Sequence, residues 1–199
     1  RRPVRSARTM LALCKPGVTT SAMITAAWGA LASAPAAYWV GGTAAVAGVG
    51  LLVAAAGALN MAYEADTDAC MPRTCERPVA AGALDIAQAS GIAVLLATLG
   101  ATLLAAVCNP ASAAWGIGAL LVYAGVYTPL KRVSPVALLI GALPGAAPPL
   151  IASVAVAGHV SGAGLALFVL LFLWQIPHFG GIVVRRRFEY RAAGLRIAP

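Results

Sequence analysis

Asn60, Glu64 and Asp68 recur every four residues near the end of a long apolar run. On a helix that spacing lines them along one face, drifting about 40° per step over about 12 Å of axis. Hard oxygen ligands so arranged suit Mg²⁺, which takes one or two carboxylates together with phosphate oxygens and water. Arg73 and Arg77, also four apart, could clamp diphosphate oxygens as charged forks. Asp66 falls off the face and reads as a solvated neighbour. The plain alternative is a solvated, ion-paired helix end. Against it stands the setting: four of the chain's six acids (Glu64, Asp66, Asp68, Glu76) crowd into residues 60–78. An acid near hydrocarbon costs about 2.5–3.5 kcal/mol at a helix centre, so such a cluster points to function.

The elements that must position these groups are membrane helices. Apolar residues make up 61% of the 199 and charged residues only 10%, with a mean hydropathy of +0.87. Soluble domains carry about 25% charge. Runs of the length needed to cross a bilayer fit six times, at about 18–35, 41–63, 86–107, 112–128, 136–157 and 163–184. They are rich in Ala, Gly, Leu and Val without strict alternation, which favours helices over barrel strands. The fold expected is all-α, a polytopic membrane helix bundle forming a single domain over 1–199.

Charge sets the orientation. The connections near 36–40, 108–111 and 158–162 hold no Lys, Arg, Asp or Glu, whereas all fourteen basic and all six acidic residues fall on the opposite side. Positive loops stay cytoplasmic, so both ends of the chain and the acidic cluster are expected there, in the inner membrane. The net charge of +8 is then a topology signal, and no soluble module remains to read nucleic acid. Ala32-Ser33-Ala34 resembles a signal-cleavage site, but Lys15-Pro16 abuts the first run as a cytoplasmic anchor, and the loop alternation needs that helix. Cys14, Cys70, Cys75 and Cys108 fit no metal or redox spacing and are expected to be unpaired thiols.

Two further segments lie on the charged side. Tyr127-Thr128-Pro129-Leu130-Lys131-Arg132 ends the fourth run with hydroxyls and two cations; by itself it reads as a topology anchor. The sixth run carries Trp174-Gln175-Ile176-Pro177-His178-Phe179. Pro177 is expected to bend or unwind the helix and free carbonyls, with Trp174, Gln175 and His178 turned away from lipid. A buried, hydrogen-bonded His is the ordinary reading of such a residue. The fifth run holds Pro144, Gly145, Pro148 and Pro149, tolerated where irregular backbone is buried or lines a cavity.

These motifs together resemble the protoheme IX farnesyltransferase (heme O synthase) branch of the UbiA-type intramembrane prenyltransferases. The match rests on Asn60, Glu64, Asp68, Met71, Arg73, Thr74, Arg77 and Pro78. In the same order follow Tyr-Thr-Pro-Leu-Lys-Arg at 127–132, Gly141 with Gly-Ala-x-Pro-Pro at 145–149, Trp-Gln-x-Pro-His-Phe at 174–179 and Glu-Tyr-x-x-Ala-Gly at 189–194. The resemblance implies Mg²⁺ on Asn60, Glu64 and Asp68, and diphosphate on Arg73, Arg77, Lys131 and Arg132. It implies a second polar cluster at His178 and Glu189, with His178 beside either the porphyrin or the diphosphate. Tyr127, Trp174, Gln175 and Tyr190 would line the heme site or cavity. The implied reaction joins farnesyl diphosphate to a vinyl group of heme B, a substrate here, with addition of water. Implied partners are those two substrates and the bilayer, with heme A synthase or oxidase-assembly proteins as candidate neighbours.

The chain departs from the family pattern in three places. Glu189 stands where Asp is common, Gly180-Gly181-Ile182-Val183-Val184 replaces bulkier residues, and six runs are present of about nine, so the chain is expected to be a fragment or a truncated product. Two rival functions are another UbiA-type prenyltransferase with an aromatic or chlorin acceptor, and a transporter or non-catalytic membrane subunit. A transporter should place acids near mid-membrane and often show internal repeats, and this chain does neither.

Overall fold

The computed structural model describes residues 6–34 and 39–196, all helix and connecting turns. Arg1, Arg2, Arg5 and most of the connection expected at 36–40 lie outside the described residues. A short α1 (Ala7–Leu13) leads into α2 (Pro16–Ser33), α3 (Trp39–Tyr63) and the brief α4 (Ala65–Ala69). After a turn-rich segment come α5 (Ile86–Leu103) and α6 (Pro110–Leu121), which continue as π-helical turns through Leu104–Cys108 and Val122–Tyr127. One turn, α7 (Thr128–Leu130), precedes α8 (Ala137–Ala157), α9 (Gly162–Arg185) and α10 (Arg187–Ala192).

Among the described residues, five helices are long and apolar enough to cross a membrane: 39–63, 86–108, 110–130, 137–157 and 162–185. The expected first span, 18–35, corresponds to α2, which carries Thr19, Thr20, Ser21, Thr25 and Ser33. Several of these hydroxyls bond back to the chain, Thr19 to the Cys14 carbonyl (2.7 Å) and Ser21 to that of Gly17 (3.0 Å). The helix packs against α8 and α3.

Local chemistry explains the ends. Asp85 and Gln88 form a reciprocal capping box at the start of α5. Asn109 accepts the Ser112 N–H (2.8 Å) at the start of α6, with Pro110 in the first helical position. Its amide also donates to the Val154 and Ala155 carbonyls (2.9 and 3.1 Å), satisfying acceptors near the end of α8. Close by, the hydroxyls of Ser33, Ser153 and Ser161 bond one another at 2.7–3.0 Å, tying α2, α8 and the start of α9.

Small residues carry the packing. The main core contains Ala26, Ala30, Ala45, Ala113, Ala147, Ala152 and Ala155 around Val49, Leu52, Leu104 and Ile151. In lipid, apolar bulk gives helices no reason to associate, so close backbone approach must supply the contact. Gly29 shows how close: a Cβ there would lie 2.1 Å from the Pro149 carbonyl oxygen. The helix that meets it, α8, is unbroken despite Pro144, Pro148 and Pro149. The unwinding expected at Pro177 is likewise not found, since α9 runs continuously from Gly162 to Arg185. A proline removes one i→i−4 bond, and the turns on either side hold the helix across it.

Candidate functional site

The acidic face is built by a helix that nearly stops. α3 ends at Tyr63, Glu64 takes a non-helical φ of −97°, and α4 restarts at Ala65. The four-residue spacing survives the break, because Glu64 N–H donates to Asn60 O (2.9 Å) and Asp68 N–H to Glu64 O (2.7 Å). All three side chains are buried, Asn60 at 2% exposure, Glu64 at 5% and Asp68 at 1%. Acids this deep need partners.

Each of the three has a cation. Arg77 Nη1 donates to both Asp68 oxygens at 2.8 Å. Lys131 makes an ion pair with Glu64 Oε1, without hydrogen-bond alignment, and its ammonium lies 4.9 Å from the Tyr127 ring centre. The third partner is Lys15, whose ammonium donates to Asn60 Oδ1. Thr74, buried, donates to the Asp68 carbonyl (2.9 Å) and pins the loop that delivers Arg77. Asn60 Nδ2 faces Thr128 Oγ1 at 3.5 Å, and that hydroxyl donates to the Tyr123 carbonyl (2.9 Å). Burial above all, then the Arg77 charge, pushes the Lys15 amine down to about 7, with Glu64 and Asp68 opposing. Lys15, Arg77 and Lys131 therefore share one field with Glu64 and Asp68, three cations against two carboxylates.

That composition fits a hard cation held jointly with an anionic ligand. Among the described residues no group of three or more His, Cys, Asp or Glu could hold a metal ion. The chain thus builds no cage of its own. Two buried carboxylates, an amide oxygen and a Glu64 oxygen lacking an aligned donor suit a divalent cation whose remaining ligands come from phosphate and water. The surplus positive charge suits the phosphate.

Other expected site residues lie elsewhere. Arg132, expected on the diphosphate, forks onto Asp66 (2.6 and 2.9 Å), donates to the Tyr63 carbonyl (3.1 Å) and stacks over the Tyr63 ring. Asp66, displaced from the buried face by half a turn, stays in water and takes Arg132 with it. The hydrogen bonds from Arg132 hold the Asp66 carboxyl below its ordinary value. Arg73 is exposed, with no carboxylate partner among the described residues.

The expected second cluster does not assemble around the acids. Trp174 is 56% exposed and His178 is exposed, their rings stacked at 4.5 Å on the outer face of α9. Of the three, Gln175 is the one buried among the described helices. Its carboxamide fills the space left by Gly145, where a Cβ would sit 2.1 Å from Oε1. Glu189 pairs with Arg186 (2.6 Å), the residue that caps its own short helix. Tyr190 and Tyr127 both pack against a small core of Met71, Ala137, Val183 and Leu195. Gly141 makes room for Tyr127, since a Cβ there would be 2.5 Å from the ring. The four cysteines are free thiols.

Sequence reasoning missed Lys15, Thr74 and Thr128 as site residues. Lys15 read as a membrane-boundary anchor, and nothing in its spacing ties it to Asn60, 45 residues away.

An apolar cleft of about 570 Å³ lies between α6, α8 and α9, lined by Ala111, Trp115, Val122, Leu143, Pro144 and Phe168 among others. Its Val122 end lies five residues before Tyr127 on the same continuous helix.

A helix bundle with a buried acid–amide–cation cluster and an apolar cleft is the arrangement expected from the resemblance to intramembrane prenyltransferases. The chain belongs to the UbiA prenyltransferase family, whose model matches residues 22–199. It is 43% identical over 198 residues to protoheme IX farnesyltransferase of Anaeromyxobacter sp. (strain Fw109-5), covering 96% of this chain and 64% of that protein. The enzyme of the same name from Myxococcus xanthus is 38% identical, with 96% and 65% covered. The chain thus spans just under two thirds of the length of these curated relatives. Its fold matches a UbiA homologue from Archaeoglobus fulgidus bound to DMAPP and Mg²⁺, with a TM-score of 0.79 at 18% identity over 94% of this chain and 67% of that one. An apo UbiA homologue from Aeropyrum pernix K1 gives 0.72 at 22% identity, covering 96% and 68%.

Proposed function

We propose that this protein transfers a farnesyl group from farnesyl diphosphate to a vinyl group of heme B, with addition of water, giving heme O and diphosphate. The observation that carries the reading is the buried Asn60–Glu64–Asp68 face, its two carboxylates and one amide facing three cations, Lys15, Arg77 and Lys131. The similarity to protoheme IX farnesyltransferases supports the choice of substrates. The structures of relatives with prenyl diphosphate and Mg²⁺ support the metal.

Asn60, Glu64 and Asp68 hold the divalent cation, whose chemistry is to neutralise charge on the departing diphosphate. Arg77 and Lys131, already placed beside these carboxylates, add fixed positive charge where the leaving group develops its own. Arg73, free of any carboxylate, is available to the outer phosphate oxygens. The farnesyl C1–O bond breaks, and the vinyl carbon supplies the electron pair for the new C–C bond. Water then adds at the adjacent carbon and its surplus proton leaves, so the balance closes as heme O plus diphosphate. The cleft between α6, α8 and α9 holds the prenyl chain and keeps water from the allylic cation until the vinyl group has reacted. Tyr127 and Tyr190 border the acceptor side, with Gln175 further along the wall. His178, on the same α9 face as Trp174, and Glu189, on α10, belong to the acceptor side of the site. The membrane is the inner one, with the charged ends of the helices toward the cytoplasm.

The test supplies heme B, farnesyl diphosphate and Mg²⁺ to membranes bearing the full-length protein. Heme O should appear on chromatography, and Asp68→Asn should abolish it while the protein still inserts. Wild-type turnover in the variant would remove the metal-site assignment.

A further inference from the structure

Among the described residues, Lys15 is the one non-glycine with a positive φ, 48°. A left-handed backbone is unfavourable for a residue with a Cβ and persists only where the surroundings enforce it. Here it sits between α1 and α2, with Pro16 opening α2. The conformation throws the side chain inward across α3. Its stem crosses Gly57, where a Cβ would lie 3.3 Å from Lys15 Cγ and Cδ, and its ammonium ends on Asn60 Oδ1. A lysine serving only as a boundary anchor would keep its charge in water.

The amide it touches presents that oxygen for a reason. The Thr128 hydroxyl gives its proton to the Tyr123 carbonyl (2.9 Å), so toward Asn60 it can only accept. It therefore faces the Asn60 amino group (3.5 Å), which leaves Oδ1 on the Lys15 side. Resting on the cation site of the proposed function, we propose that Lys15 couples diphosphate binding to divalent-cation binding by competing with the cation for Asn60 Oδ1. An ammonium and a divalent cation on one carboxamide oxygen repel each other. Diphosphate oxygens accept from the ammonium, draw it off Asn60 and open that oxygen to the cation. Linkage makes the effect reciprocal: each ligand strengthens the other. Arg77 and Lys131 lie on the carboxylates Asp68 and Glu64, so the competition at the neutral ligand belongs to Lys15.

The experiment titrates Mn²⁺ into the purified protein in detergent, read by electron paramagnetic resonance, with and without inorganic diphosphate. Wild type should bind Mn²⁺ weakly alone, and diphosphate should tighten it about tenfold beyond Mn²⁺–diphosphate association in buffer, within the usual range of coupling. Lys15→Met should bind Mn²⁺ alone several-fold more tightly, and lose most of the enhancement. Lys15→Arg, which keeps the charge, should follow wild type. If Lys15→Met cannot be recovered monodisperse, Lys15→Gln carries the same expectation. Lys15→Met binding Mn²⁺ no more tightly than wild type, with the enhancement intact, overturns the coupling and leaves the cation site standing. Wild type showing no saturable, Asn60-dependent Mn²⁺ signal in either condition overturns the cation site, and the coupling falls with it.

Discussion

Removing Arg77 should cost more than removing the pair it belongs to. Asp68 is 1% exposed and both its oxygens accept from Arg77 at 2.8 Å, whereas the Arg77 side chain is 23% exposed. Arg77→Ala leaves the Asp68 carboxylate without its hydrogen-bonded cation in a place water barely reaches. Breaking a buried pair in this way costs about 3–5 kcal/mol. Because the guanidinium is partly solvated, the lower end applies, about 3 kcal/mol. For a chain of this length, that lowers the unfolding temperature by about 6–12 °C. Asp68→Asn should cost less, about 1–2 kcal/mol, since the freed guanidinium can turn to solvent. The double variant Asp68→Asn/Arg77→Ala removes the stranded charge and should be no worse than Arg77→Ala alone. The assay is thermal unfolding in detergent, followed by near-UV circular dichroism and the monodisperse peak on size exclusion. If the double variant loses as much as the two singles combined, the carboxylate is not stranded by loss of Arg77, and the ion-pair reading of this site is wrong.

Gly29→Ala should destabilise by about 3 kcal/mol or more, because its Cβ meets Pro149 backbone atoms at 2.1–2.6 Å, while Gly118→Ala, with nothing within 4 Å, should be neutral or slightly stabilising. Equal melting temperatures for the two would contradict the α2–α8 contact. Lys131→Gln should raise the KM for farnesyl diphosphate at least fivefold, about 1 kcal/mol of lost charge stabilisation, and Arg132→Gln should change it by less than about twofold, since its exposed pair with Asp66 contributes about 1 kcal/mol or less to folding alone; steady-state kinetics decides. Folded Lys15 titrates at about 7 against an ordinary 10.5, so between those values the unfolded chain binds more protons, and stability should rise with pH. The unfolding temperature of wild type should climb from pH 7 to 9, and that of Lys15→Met should lack this component.

The amino-acid sequence by itself determined the all-α membrane class, the helix starts marked by Asp85–Gln88, Asn109–Pro110 and Ser161, and the one-sided face of Asn60, Glu64 and Asp68. Each of these is a local matter: a period of 3.6 residues, a capping side chain, or a run too apolar for water. The spacing of the three ligands even survives the break at Glu64, because the two backbone bonds that carry it reach only four residues.

Only the tertiary structure decided which cation each acid receives. Lys131 and Arg132 are adjacent in sequence, yet one meets Glu64 and the other Asp66, because successive residues at a helix end point to different sides. Lys15 enters the cluster through a left-handed backbone and the missing Cβ of Gly57, neither of which leaves a periodic trace. Gln175 shows the same dependence: α9 turns it toward α8, where the missing Cβ of Gly145 leaves room for its carboxamide. Periodicity states which residues share a face. Which faces meet depends on how closely two backbones can approach, and that distance is set by pairs such as Gly29–Pro149, 120 residues apart, and Gly141–Tyr127, 14 apart.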